Sequence, residues 1–156
     1  MVDAETKEPL VGAVVLVHWN VTALVPGHPE NLLDAEEALT DSQGGFVVGK
    51  NPPRSWIPGT QVSLPDITIF QPGYGFFPEQ HTSPPWPPTG YKGLLKVMQE
   101  DGVVIELPRL KTREERIRVI RRVNPLVVPR EKMPNFVRLL NIERKSLYLP
   151  PAYGER

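Results

Sequence analysis

Cysteine is absent from this chain, so no disulfide framework and no thiolate nucleophile or metal ligand is available. That absence fits a bacterial protein inside or outside the cytoplasm and selects neither. Apolar runs long enough to cross a membrane are missing too, since a span needs roughly 20 consecutive apolar residues. Histidine is scarce, with only His18, His28 and His81, and metal sites need three or four converging ligands. His28 with Glu30 and Asp34 forms one conceivable cluster, but loops carry such groups routinely. His18 reads as a hydrogen-bonded strand residue. No serine has a histidine and an acid placed to activate it. Charge of one sign is missing as well: 18 basic and 18 acidic residues leave a net charge of zero. These absences lead to the expectation of no catalytic residue, no metal site and no cofactor.

What the chain does have is proline. Its 19 prolines are about 12 % of the residues against a usual ~5 %. Hydrophobic residues nonetheless make up 40 % and fall in alternating runs, as in a folded protein with proline-stiffened loops. A length of 156 residues suits one domain able to bury a core unaided. Along Ala13 to Trp19, Ala13, Val15, Val17 and Trp19 share one face, and Val14, Leu16 and His18 share the other. A strand apolar on both faces is one sandwiched between layers. Residues 23–38 read as a long excursion. Glu36–Thr40 then returns as a strand, Asp41-Ser42-Gln43-Gly44 turns, and Phe46-Val47-Val48 is expected to pair back as a hairpin. Ile67–Phe70 and Gly102–Leu107 complete about six or seven strands.

The last third changes character. Thr112-Arg113-Glu114-Glu115 is a capping box, opening a helix with Ile117, Ile120 and Val123 on one side. Asn124-Pro125 stops it. A second helix is expected from Pro134, a residue suited to the first turn, burying Phe136, Val137, Leu140 and Leu147. The expected organisation is therefore a β-sandwich over residues 1–110 and a helical extension over 111–156, packed on or between sandwiches.

Val2-Asp3-Ala4-Glu5-Thr6-Lys7-Glu8-Pro9-Leu10-Val11-Gly12-Ala13-Val14-Val15 is a polar turn, a small-residue kink and a strand. With Thr40-Asp41-Ser42-Gln43-Gly44-Gly45-Phe46 and the run Ile69-Phe70-Gln71-Pro72-Gly73-Tyr74, it resembles the carboxypeptidase regulatory-like domain of exported bacterial proteins. The resemblance implies a mainly β fold, an antiparallel Greek-key, transthyretin-like sandwich with two short C-terminal helices added. It also implies scaffolding or docking rather than chemistry. Related hydroxyisourate hydrolases end in Tyr-Arg-Gly-Ser, whereas this chain ends Ala152-Tyr153-Gly154-Glu155-Arg156. Intradiol dioxygenases of similar fold need two tyrosines and two histidines at iron, and these three histidines are too dispersed.

Charge is unevenly spread. Of the 18 basic and 18 acidic residues, four and ten fall in residues 1–92, leaving 14 and 8 in residues 93–156. Such asymmetry fits contact between copies, or halves that pack together within one globule. Five arginines fall between Arg113 and Arg122, but Glu114 and Glu115 interrupt them and no base-reading motif is present, so no nucleic-acid partner is expected. Arg118, Arg121 and Arg122 are instead candidates for protein contact. Trp56, Tyr74, Trp86 and Tyr91 are the candidate aromatic anchors. Around Trp86, the segment Ser83-Pro84-Pro85-Trp86-Pro87-Pro88 reads either as an extended contact arm or as a rigid loop with Trp86 tucked inward. Asn20-Val21-Thr22 matches the glycosylation sequon, making Asn20 the candidate glycan site.

Strand-turn sequence follows Met1 directly, giving the expectation that an export signal has been removed and the protein is extracellular or in the cell envelope. An incomplete first strand would expose a sheet edge. The functional expectation is a non-enzymatic structural protein assembling with copies of itself into a filament or tube. The alternative is a monomeric envelope module binding a protein or glycan partner.

Overall fold

The computed structural model describes residues 1–24, 30–48, 53–79, 102–123, 125 and 127–153. Among them are six strands: β1 (Val2–Asp3), β2 (Val14–Ala23), β3 (Asn31–Leu39), β4 (Thr60–Val62), β5 (Asp66–Phe70) and β6 (Glu106–Leu107). Two helices follow, α1 (Arg113–Arg122) and α2 (Pro134–Ser146), with a 3-10 turn at Arg130–Lys132 between them. The fold is mainly sheet, with antiparallel and parallel pairing.

β2 is the axis. β3 pairs antiparallel along one side of it, with an irregularity at Trp19/Asn20 that leaves Leu33 without an opposite residue. The other side is shared by β5, opposite Val14–His18, and β4, opposite Val21–Ala23. Between β4 and β5 the ladder is carried by Ser63, whose amide donates to the Asn20 carbonyl (2.8 Å) and whose hydroxyl accepts from the Asn20 amide (3.2 Å). Pro65, two residues on, has no amide hydrogen to give.

The alternation read along β2 holds and sorts the interior into two cores. Val14 and Leu16 face a cluster built with Phe70, Phe76 and the helices. Ala13, Val15, Val17 and Trp19 face a second one with Met1, Leu10, Ile67, Ile69, Ile105 and Leu107. The second face is covered by β1 and β6, which pair parallel with Val2 opposite Glu106. β1 also bridges to its own turn at Val2 and Pro9, so both of its sides are occupied within the chain. The open first-strand edge expected from the sequence is therefore not present.

Other strand expectations are corrected. The turn at Asp41 forms, its carboxylate accepting from the amides of Gln43 and Gly45, but Phe46–Val48 does not pair back as a strand. Met1 draws the chain away: its amino group donates to the Gly44 carbonyl (2.6 Å), and Phe46 and Val48 pack over the core that holds Met1. β3 begins at Asn31, inside the expected excursion, although Asp34-Ala35-Glu36-Glu37 has little strand preference. Pairing with a buried β2 overrides local propensity there. The closing strand is confined to Glu106–Leu107.

α1 starts as the capping box requires. The Thr112 hydroxyl accepts from the Glu115 amide (3.2 Å), and the Glu115 carboxylate accepts from the Thr112 amide (3.0 Å). Those amide bonds from Thr112 and Lys111 hold the Glu115 carboxyl below its usual range. Ten residues are too few for a stable isolated helix, so packing of Val119, Ile120 and Val123 holds α1 in place. α2 lacks a local side-chain cap. Its amides at Asn135 and Phe136 donate instead to the Glu37 carboxylate of β3, at 2.9 and 2.7 Å. Phe136 then meets Phe70 of β5 with ring centroids 5.7 Å apart.

The helices are clamped by Arg116, which donates twice to the buried Glu143 carboxylate, at 2.7 and 2.6 Å. Arg116→Ala strands that carboxylate, and a loss of about 3 kcal/mol is expected, at the low end for a buried pair because Arg116 is itself partly exposed. Replacing both residues by leucine is expected to recover most of it. Urea denaturation of the single and double variants measures the difference.

Candidate interaction surface

At one end of the sheet, β2 runs into Leu24 and β4 emerges from a turn carrying Trp56 and Ile57. Trp56 is 91 % exposed, Leu24 64 % and Ile57 61 %. The turn holding them is braced from within. The Thr60 hydroxyl donates to the Ile57 carbonyl (2.7 Å), and Ser55 Oγ lies 2.6 Å from Thr60 Oγ1. Thr60 has one hydroxyl proton, so Ser55 is the donor in the second contact. The Ile57 amide donates to Ser55 Oγ (3.3 Å), and the Leu24 amide donates to the carbonyl of Gly59, which sits at φ +73°. A tight turn of this sort holds two large apolar side chains outward, with little backbone freedom left to lose on contact. Trp56 was named as a candidate from the sequence. Ile57 and Leu24 were not, though the Pro58-Gly59 turn beside them was the available signal.

Tyr74 has a different role. Its ring packs on the core that holds Met1, and its hydroxyl donates to Asp3 Oδ2 (2.9 Å) while accepting from Arg109 (2.8 Å). Arg109 also lies 5.4 Å over the ring. Asp3 is buried, and burial would raise its pKa. Bonds from the Thr6 and Glu5 amides, the Tyr74 hydroxyl and the Arg109 charge outweigh that and hold it below the usual carboxylate range. Burial, then the bond to Asp3, pushes the Tyr74 hydroxyl up. Tyr74 thus ties the first turn to the strand that leads into the helices. Asp3, which organises the cluster, was passed over in the sequence despite its place at the head of a turn.

The remaining candidates separate. Arg122 pairs with Glu79 (3.1 Å), and Arg118 lies by Glu115. The Arg121 side chain makes no hydrogen bond or ion pair to any described residue. Trp86 and Tyr91 lie outside the described residues. Asn20 is 7 % exposed within β2, which leaves no room for a glycan, and the sequon expectation is corrected accordingly.

Part of the charge asymmetry resolves within the chain. Asp3 meets Arg109, Glu5 meets Lys111 (2.9 Å), Glu79 meets Arg122 and Asp34 meets Lys132, while Glu37 caps α2. Among the described residues, no group of three or more histidine, aspartate or glutamate side chains is arranged to hold a metal ion. Nor is any helix there long and apolar enough to cross a membrane. His18 is buried in β2 with Nε2 3.4 Å from Asp66 Oδ2 and with Nδ1 lacking a partner. Burial lowers its pKa, and Asp66 only partly opposes this.

Comparison of the chain with known protein families, curated proteins and solved structures finds no match.

Two outcomes follow from the buried groups. A depressed Asp3 pKa contributes stability that is present above the unfolded value, near 3.8, and is lost as pH falls through the folded value. Tyr74→Phe is expected to cost about 1–2 kcal/mol at neutral pH, with the cost shrinking in acid; denaturant midpoints at neutral and acid pH test this. His18 is kept neutral by the fold, so stability falls as pH drops below its unfolded value of 6.5. His18→Leu is expected to flatten that slope in thermal melts across mildly acid pH.

Proposed function

We propose that this protein is a non-enzymatic binding module that docks on a protein or glycan partner through the braced apolar tip of Leu24, Trp56 and Ile57. The observation that carries the reading is the exposure of a tryptophan on a turn whose hydrogen bonds are already made. Exposed, preorganised aromatics are the residues that dominate binding energy, and their flat faces suit apolar pockets and sugar rings alike. With the Tyr74 hydroxyl and Arg122 already engaged, the tip is the better anchor among the described candidates. The same proposal takes the chain as a transthyretin-like Greek-key sandwich of the carboxypeptidase regulatory-like kind, exported to the cell envelope or beyond. Support for that part is the resemblance of the Val2–Val15, Thr40–Phe46 and Ile69–Tyr74 segments.

Self-assembly into a filament is the second reading. β3 favours it, since β2 is its one strand partner among the described residues. Against it, opposite charges of the two halves meet inside one chain, and Asp34 turns its carboxylate onto the Ala35 amide of that strand (2.8 Å).

Trp56→Ala is expected to leave the melting temperature unchanged, because the side chain is almost wholly exposed. Binding to isolated envelope fractions or to a glycan array is expected to fall at least about tenfold. Undiminished binding by Trp56→Ala and Ile57→Ser refutes the assignment of the tip. Light scattering that gives a concentration-dependent mass at low salt favours the second reading instead.

A further inference from the structure

α1 and α2 bury their apolar stripes in one core and turn their opposite sides outward. That outer side is cationic. On α2, Arg138, Ile142 and Lys145 fall three and four residues apart and so share a face. Glu143 is the one acidic residue of α2, and it is buried against Arg116. On α1, acids are confined to the first turn, and Arg118 and Arg121 lie beyond them. The side chains of Arg121, Arg138 and Lys145 have no hydrogen-bond or ion-pair partner among the described residues. Apolar surface is mixed in: Ile142 is 48 % exposed, and Tyr148, just past the end of α2, is 94 % exposed.

We infer that this outer helical face docks on an anionic lipid surface. Charge decides the sign of the partner, and the interspersed side chains decide its nature. Lys and Arg without partners among the described residues, around an exposed isoleucine and tyrosine, match the boundary between headgroups and acyl chains, where cations meet phosphates and aromatic rings settle. A second copy is a poorer occupant, because four of the carboxylates it would offer, Asp3, Glu5, Asp34 and Glu79, are already held by cations of their own chain. Nucleic acid would use the cations but leave Ile142 without a role. The face is separate from the Trp56 tip, so the two assignments stand or fall independently.

Vesicle co-sedimentation of the full chain tests the inference. Vesicles of phosphatidylcholine containing phosphatidylglycerol are expected to carry the protein down at low salt, and neutral phosphatidylcholine vesicles are not. Each cation near an anionic bilayer is worth roughly a fivefold change in partitioning. The triple variant Arg121→Gln, Arg138→Gln, Lys145→Gln is therefore expected to lose about 100-fold, and Ile142→Ser several-fold, with circular dichroism unchanged. Trp56→Ala is expected to bind these vesicles as the parent does. The inference is overturned if the parent protein stays in the supernatant with anionic vesicles at low salt, or if the triple variant sediments equally well. It is also overturned if duplex DNA competes fully and Ile142→Ser has no effect, because the face is then a general polyanion site.

Discussion

Burial of β2 on both faces is the constraint from which the rest of the architecture follows. A strand with Val14 and Leu16 on one side and Val15, Val17 and Trp19 on the other has no face to give to water. It needs cover on both sides as well as partners along both edges. The helices supply one cover, and β1, β6 and Met1 supply the other. Each buried side chain of this size is worth roughly 1.5–3 kcal/mol, which is enough to organise short elements that would not form alone. α1 and the two-residue strands β1 and β6 are elements of that kind.

Electrostatics follows the same geometry. The chain is acidic early and basic late, and the fold brings the two together rather than displaying them. Carboxylates of the first turn, β3 and the segment near Glu79 meet cations from the late third of the sequence. Surface pairs of this kind contribute little individually. Their effect here is on register: Glu37 reaches the first amides of α2, and Lys132 reaches Asp34, so β3 and the start of α2 are held in one relative position. The apolar tip at one end and the cationic face on the helices lie outside this network.

Legibility in the sequence tracked how local each signal was. The alternation of β2, the capping box of α1 and the proline start of α2 depend on residues a few positions apart, and all were readable. Strand β3 was half missed because its acidic, alanine-containing stretch is extended only by virtue of pairing. The return strand after Gly45 was expected on local grounds, but Met1, 43 residues away, redirects the chain. At the candidate surface Trp56 was named from the sequence as one of four candidate aromatics, and it is the one found almost wholly exposed among the described residues. The internal contacts of Tyr74 were not readable because its partners Asp3 and Arg109 are 71 and 35 residues away. Asn20 was misjudged because a three-residue sequon carries no information about burial.

The break between β4 and β5 has a consequence for how the protein avoids the wrong kind of association. Amyloid growth needs a long, straight, unobstructed strand edge onto which identical segments can stack. On this side of the sheet the edge is cut at Ser63-Leu64-Pro65 into one stretch of three residues and one of five. Ile69 in the longer stretch is already bonded to Phe77, amide to carbonyl in both directions. A chain rich in β-branched residues is thereby left without a usable template along that flank, and proline, so abundant here, is part of the reason.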